Sequence, residues 1–550
     1  MQVLLGCLNS KYIHASLAPW CLKAGIDTYC KSSITATVME STINSDLDEY
    51  VKSIVAKKPD TVCFCTYIWN IEKTLYICEQ IKNKLNCKII LGGPEVSYRS
   101  ENVLENYPFI DFVLSGEGEE SLPKFLDILN SNGDLSLSDG LTYRKETKIF
   151  KTDERLYTST PVSPYSQEFF ENLKGRICYI ETSRGCPFRC AFCLSGRCSP
   201  LRFFALDTVK ENILKLANSG TKTVKFVDRT FNANPDRAND ILTFIISNYK
   251  TAIPENVCFH FEIAGDILQE STLNILKSAP KGLFQLEIGM QSFNEQTLKA
   301  VNRKTDTEKL KANIKKLVSF ENMHIHIDLI AGLTGEDLIC FEKSFVIGFS
   351  LKPNMLQLGF LKLLYGADMR ENPKKYPCEY SSSPPYEVTS TPWLSNEEIK
   401  KIKKCEDALE RLYNSGKFLY TVEYLLNCGF TPFKLFMEFG NKTDGTKMPL
   451  SDYALHIFEF FKSYADKEIL KEKIICDLME SNSSSHIPKS FITYSPLHKK
   501  IKGYFGVDYK VTLLPKSNKV FVVKKQGGKD LFGRIKGEIY PVINFISTDI

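Results

Sequence analysis

The chain has 550 residues, 43% hydrophobic and 25% charged, with a formal net charge of +5. That length allows three or four domains with sizeable cores, and so weak a charge gives no reason to expect a nucleic-acid partner. No apolar run approaches the roughly 20 residues needed to cross a bilayer. The opening MQVLLGCLNS lacks the basic start and cleavage site of a signal peptide, and 18 cysteines without a regular framework point to a reducing cytoplasm.

Residues 1–155 alternate short apolar runs with helical stretches. Strands are predicted at Val3–Leu8, Ile34–Glu40, Thr61–Tyr67, Lys88–Gly92 and Phe112–Ser115, and helices at Leu47–Ala56, Ile71–Leu85 and Glu120–Leu129. Apolar strands separated by helices mark a doubly wound α/β domain with a parallel sheet, whose ligand crevice lies beyond the carboxyl ends of the strands. Two of those ends are glycine-rich, Gly92-Gly93-Pro94-Glu95 and Ser115-Gly116-Glu117-Gly118-Glu119. Glycine there permits close approach to a ligand, and it serves an ordinary strand–helix turn equally well. Leu141–Phe150 reads as a hairpin, and the proline- and serine-bearing stretch Thr158–Tyr165 places a linker at residues 156–170.

Six strand-then-helix units follow in residues 171–370. Strands are predicted at Ile177–Ser183, Thr223–Val227, Val257–Ile263, Phe284–Met290, His324–Ala331 and Met355–Lys362. Helices are predicted at Thr208–Ala217, Asp236–Ser247, Thr272–Ser278, Glu308–Phe320 and Phe341–Phe349. Repeated βα units imply parallel strands with right-handed crossovers, and functional groups at strand carboxyl ends.

The first of these strands runs into Arg184-Gly185-Cys186-Pro187-Phe188-Arg189-Cys190-Ala191-Phe192-Cys193, with three cysteines at C-x3-C-x2-C spacing. Thiolates are soft ligands suited to zinc or iron–sulfur clusters. A cubane cluster takes four cysteines, so three leave one iron open. A zinc knuckle short of a ligand and three unrelated thiols are the plain alternatives. Cys198 is read as a bystander, because a fourth ligand there would close the site. Later strands end in Asp228-Arg229-Thr230-Phe231-Asn232, in Glu262, in Glu287–Phe293 with Arg303 downstream, and in Leu329–Glu336. Glu262 could accept two hydrogen bonds from a ribose diol, or cap a helix or pair with a cation.

Residues 371–550 open on the proline- and serine-rich stretch Tyr376–Pro392. Helices are predicted at Ile399–Asn414, Thr421–Asn427, Pro432–Phe439, Ser451–Tyr464 and Glu468–Leu478, then a hairpin of Tyr509–Leu514 and Lys519–Lys524. Cys378, Cys405, Cys428 and Cys476 have no chelating spacing, so no auxiliary cluster is indicated.

The cysteine loop resembles that of the radical S-adenosylmethionine (SAM) superfamily. Ile288-Gly289-Met290-Gln291-Ser292, with Asn302-Arg303 downstream, is similar to that family's I-G-x-Q-S and asparagine–arginine pair. Gly332-Leu333-Thr334-Gly335-Glu336 is similar to its G-L-P-G-E run, with Thr334 replacing proline. The resemblance implies a partial (β/α)6 barrel and a [4Fe-4S] cluster on Cys186, Cys190 and Cys193. It further implies SAM bound near Phe192, Glu262, Gln291, Arg303 and Gly332, and an electron donor such as flavodoxin or ferredoxin.

The segment before the loop looks like the cobalamin-binding domain of B12-dependent radical SAM proteins. This implies corrinoid contacts at Thr66, Gly92, Gly93, Pro94, Gly116, Glu117 and Gly118. Lys11 stands where a cobalt-ligating histidine would sit, and His14 is a poor substitute. The last segment resembles the uncharacterised C-terminal domain of a bacterial subgroup of these proteins. The expectation is a cobalamin-dependent radical SAM methyltransferase acting on an unactivated carbon of an unknown small molecule. Alternatives are a cobalamin-dependent rearrangement or cyclisation, a radical SAM enzyme with an empty first domain, a methylthiotransferase using Cys7, Cys63 and Cys65, and a non-catalytic zinc scaffold.

Overall fold

A computed structural model describes residues 1–197, 200–442, 448–492 and 495–546. It divides into two compact units. The first comprises residues 1–286, 299–305 and 361–389, and the second residues 287–298, 306–360 and 390–550. Cys198 lies outside the described residues.

The first unit opens with a sheet of β1 (Gln2–Asn9), β2 (Thr35–Thr42), β3 (Thr61–Cys65), β4 (Lys88–Gly92), β5 (Phe112–Leu114), β6 (Leu141–Lys145) and β7 (Lys148–Lys151), in the order β2-β1-β3-β4-β5-β6-β7. The first five are parallel, and the predicted hairpin extends the same sheet antiparallel. Alternate residues of each strand face opposite sides. Val3, Leu5 and Ile90 therefore meet Ile26, Leu122, Phe125 and Leu126 of the helices Ala18–Tyr29 and Gly118–Asn130. Leu4, Leu8, Val62 and Leu91 meet Val51, Ile54, Ile77 and Ile81 of Leu47–Ala56 and Ile71–Lys82 on the other side. A Cβ at Gly25 would lie 2.0 Å from the Glu119 carbonyl, so only glycine lets the first helix reach the start of Gly118–Asn130.

The later strands are β8 (Cys178–Ile180), β9 (Ser183–Arg184), β10 (Arg202–Phe203), β11 (Thr223–Phe226), β12 (Cys258–Ile263), β13 (Phe284–Gln291), β14 (His324–Ala331) and β15 (Met355–Phe360). Their main sheet has the order β15-β14-β13-β12-β11-β8, with parallel register between β8 and β11, β11 and β12, and β14 and β15. In β13, Phe284, Leu286, Ile288 and Met290 are buried, while Gln285, Glu287, Gly289 and Gln291 are half-buried on the opposite face. One face thus meets packing and the other carries polar groups.

The predicted strand Ile177–Ser183 is interrupted. The Asp228 carboxylate accepts from the Thr182 N–H at 3.0 Å, from its hydroxyl at 2.7 Å, and from the Ser183 hydroxyl. That pull turns the chain after β8 into the short antiparallel pair β9–β10.

In the second unit the helix Asn396–Leu409 starts with a capping box between Ser395 and Glu398. Phe345 and Phe349 pack with Phe433 and Phe436 of Pro432–Lys442. The predicted C-terminal hairpin gains Glu538–Pro541 as a third antiparallel strand.

Candidate functional site

The cysteine loop leaves β9 through Gly185, whose φ of +96° suits glycine. It is held by segments far away in sequence. The Ala191 N–H donates to the Val301 carbonyl at 2.8 Å, and the Ala191 carbonyl accepts from the Met369 N–H at 3.0 Å. Asn302 Nδ2 donates to the Arg189 carbonyl at 2.7 Å. The Cys193 N–H closes a turn on the Cys190 carbonyl at 3.1 Å, with half-buried Phe192 between the two cysteines.

Cys186 Sγ lies 3.4 Å from the Thr230 hydroxyl, and Arg303 Nη1 lies 3.7 Å from Cys190 Sγ. Burial pushes the Cys190 thiol up, and the Arg303 guanidinium opposes that by favouring the thiolate. Elsewhere, among the described residues, Glu287, His326 and Asp328 bring their ligand atoms within 4.8 Å of one another.

Arg303 therefore lies beside the cysteine loop. Glu262, on β12 in the same unit, has Lys225 Nζ 3.9 Å from its carboxylate. In the second unit Gln291 ends β13 with φ +68°, in the left-handed region that side chains rarely adopt, and its buried Oε1 has no hydrogen-bond partner among the described residues. Gly332 follows β14 with φ +90°.

Next to Gln291, the Ser292 hydroxyl donates to the fully buried Glu336, and the Ser344 hydroxyl lies 3.4 Å from the same oxygen. Burial pushes the Glu336 carboxyl up to about 7 against those hydrogen bonds. Because that value lies above the unfolded one, the stabilisation is fully present below about 4.5 and is lost as pH rises through about 7. Glu336→Gln is expected to flatten this fall. Denaturant unfolding between pH 4.5 and 8 checks it, and parallel pH profiles for variant and parent would reject it.

The loops of the first sheet make close contacts of their own. Thr66 is fully buried, and both its N–H and its hydroxyl donate to the Gly92 carbonyl at 2.7 Å. Its hydroxyl closes β3 onto β4. Gly93 has φ +108°, and a Cβ there would lie 2.5 Å from the Thr66 carbonyl, so the chain itself demands glycine. Pro94 begins the short helix Pro94–Ser97. Gly116 has φ +81° beside Glu154, and a Cβ at Gly118 would lie 2.5 Å from Leu22. What Gly92, Gly93, Pro94, Gly116 and Gly118 offer a ligand is therefore backbone at two strand ends.

The Glu117 carboxylate is engaged by two arginines. Arg184 Nη1 reaches it at 2.7 Å, and Arg202 grips both its oxygens. Arg184 also bonds Glu119 and Glu181, each at 2.7 Å through Nη2. His14 Nδ1 pairs with the Tyr179 hydroxyl at 2.6 Å, and burial together with Lys11 and Lys225 lowers its pKa. A second buried pair went unread in the sequence. Glu40 accepts from Arg176 at 2.9 Å, from the Trp20 indole at 2.9 Å and from Asn9 at 2.7 Å. The acidic run at 117–119 and the arginine before the cysteine motif are visible in sequence, but their pairing needs the topology.

A pinned three-thiol loop beside a sequentially ordered sheet, following a doubly wound domain, defines the class: an α/β protein organised around a cysteine triad. Family models specify it further. The B12 binding domain matches residues 22–126, the Radical SAM superfamily residues 180–345, and a protein of unknown function (DUF4080) residues 374–526. The chain is a radical SAM protein with a B12-binding domain ahead of the radical SAM domain and a DUF4080 domain after it.

It is 25% identical over 303 residues to the cobalamin-dependent radical SAM methyltransferase TokK of Streptomyces tokunonensis, covering 52% of this chain and 44% of that protein. It is 24% identical over 450 residues to the 2-(S-pantetheinyl)-carbapenam-3-carboxylate methyltransferase of Streptantibioticus cattleyicolor, covering 74% of this chain and 65% of that protein. The chain thus spans less than two thirds of either relative's length. The structure of the cobalamin-dependent SAM radical enzyme OxsB, with aqua-cobalamin and SAM bound, superposes with a TM-score of 0.61 at 15% identity over 92% of this chain and 83% of the other. That likeness establishes the fold: a doubly wound domain, a radical SAM barrel sheet and a mainly helical C-terminal region. No described helix is long and apolar enough to cross a membrane.

Proposed function

We propose that this chain is a cobalamin-dependent radical SAM methyltransferase that methylates an unactivated carbon of a small molecule, with an electron donor such as flavodoxin or ferredoxin. The pinned cysteine loop carries the reading, and the B12-binding match ahead of it supports the cobalamin part. When bound, a [4Fe-4S] cluster supplies the electron that cleaves SAM to a 5′-deoxyadenosyl radical, and cobalamin supplies the methyl group.

The protein's own share is positional and electrostatic. Cys186, Cys190 and Cys193 hold the cluster, and Arg303 stabilises the Cys190 thiolate. Phe192 shields the loop. Glu262, Gln291 and Gly332 offer SAM a carboxylate, a side-chain amide and backbone at strand ends, and backbone at Gly92–Pro94 and Gly116–Gly118 faces the corrinoid. A methylthiotransferase reading finds less support. Cys7 and Cys65 are cross-strand neighbours inside the first sheet, and burial pushes the Cys7, Cys63 and Cys65 thiols up.

Anaerobic reconstitution is the test. The expected product holds about four irons, retains a corrinoid by absorbance, and forms 5′-deoxyadenosine from SAM under reductant. A colourless protein carrying a single zinc and inert to SAM sinks the enzyme reading, and failure to retain corrinoid removes the methyltransferase part.

A further inference from the structure

We propose that Arg184 is a positioning residue that couples the loop after β5 to the cysteine loop, so that corrinoid occupancy changes how SAM binds. The proposal rests on the reading that both cofactors bind. All three guanidinium nitrogens of Arg184 are used. Nε and Nη2 fork onto Glu181 at 2.9 and 2.7 Å, Nη1 reaches Glu117 at 2.7 Å, and Nη2 reaches Glu119 at 2.7 Å. The side chain is 20% exposed and Glu119 is 12% exposed, so these charge-assisted bonds are shielded from solvent. Burial opposes the Glu119 charge, but Arg184 overcomes it and holds the carboxyl below its ordinary value.

Both ends of the linkage are stiff. Glu117 and Glu119 flank Gly118, which is packed against Leu22, and the Glu119 carbonyl abuts Gly25. At the other end, Arg184 directly precedes Gly185 and Cys186. Arg202, opposite Arg184 in the β9–β10 pair, hydrogen-bonds Glu117, while the hydrogen bonds to Glu119 and Glu181 come from Arg184. A displacement of the loop after β5 therefore reaches the first cysteine through the Arg184 bonds to Glu117 and Glu119 and a short backbone. A lysine cannot reproduce this, because one ammonium does not span three carboxylates.

The test uses full-length protein reconstituted with iron and sulfide, with and without hydroxocobalamin. SAM affinity is read from the electron paramagnetic resonance of the reduced cluster. In the parent, corrinoid is expected to change the SAM Kd by about fivefold or more, the scale of ordinary coupling between sites. In Arg184→Met and Arg184→Lys the ratio should fall close to one while iron and corrinoid contents hold. Should Arg184→Met fail to take up iron, Glu119→Gln, which keeps the arginine and loosens one arm, carries the test and should lower the ratio. An unchanged ratio in variants that load both cofactors overturns the coupling alone, as does a ratio of one in the parent. A parent that binds no corrinoid overturns the cobalamin reading as well.

Discussion

Replacing any one of Cys186, Cys190 or Cys193 with alanine is expected to leave a folded protein with little iron and no SAM cleavage. The loss should reach at least about a thousandfold, equivalent to roughly 4 kcal/mol of barrier. With three thiolates, every missing sulfur exposes a second iron, and a cluster held by two has lost the chelate that fixes its orientation. The fold should survive, because backbone bonds from Val301 and Met369 and the Asn302 side chain hold the loop independently of sulfur. Iron content, 5′-deoxyadenosine formation and circular dichroism separate the two effects. Cys340→Ala, on the helix Leu338–Ser350 of the second unit, serves as the control and should keep full iron. Retained iron and activity in any single loop variant would reject the assignment.

The second large effect is one of stability, in the second unit. Arg534 is 3% exposed and donates to the Gly416 carbonyl at 3.0 Å, to Asp477 at 3.1 Å and to Glu480 at 2.7 Å. Asp477 also accepts from the Tyr420 and Thr421 N–H groups at 2.9 and 2.8 Å, and Glu480 accepts from the Gly537 N–H at 2.7 Å. These bonds tie the segment after Lys519–Lys524 to the helix Lys467–Glu480. Arg534→Met strands two buried carboxylates, a loss of about 3–5 kcal/mol. Hydrogen exchange across Lys467–Glu480 should accelerate accordingly, and Asp477→Asn in the same background should restore part of the protection. Unaltered exchange would show that the guanidinium contributes nothing net.

Much of the fold was legible because its elements obey local rules. Lys88–Gly92, Leu47–Ala56 and His324–Ala331 lie where their apolar patterns place them. The helix Ala18–Tyr29 escaped notice because Pro19 and Gly25 weaken its signal, and Gly25 earns its place only through the Glu119 carbonyl. The third strand Glu538–Pro541 is exposed at three of its four residues and depends on its partner Lys519–Lys524. At the site, C-x3-C-x2-C spacing is a local signal and needs no topology. The partners of Arg184 lie at 117, 119 and 181, and those of the cysteine loop at 301, 302 and 369. Such contacts join strand ends distant in sequence, and no periodicity announces them. Thr66 and Gly93 show the reverse: residues that look ligand-directed in sequence are consumed by the chain's own close contacts.

The pins on the cysteine loop also bear on how the protein matures. In a zinc finger, ligands assemble only as metal arrives, so metal uptake and folding are a single event. Here Asp228 shapes the approach to the loop, and Val301, Asn302 and Met369 brace its centre through amide and carbonyl groups. Polypeptide folding and metallation are thereby separate steps. A chelator is therefore expected to strip iron without melting the chain.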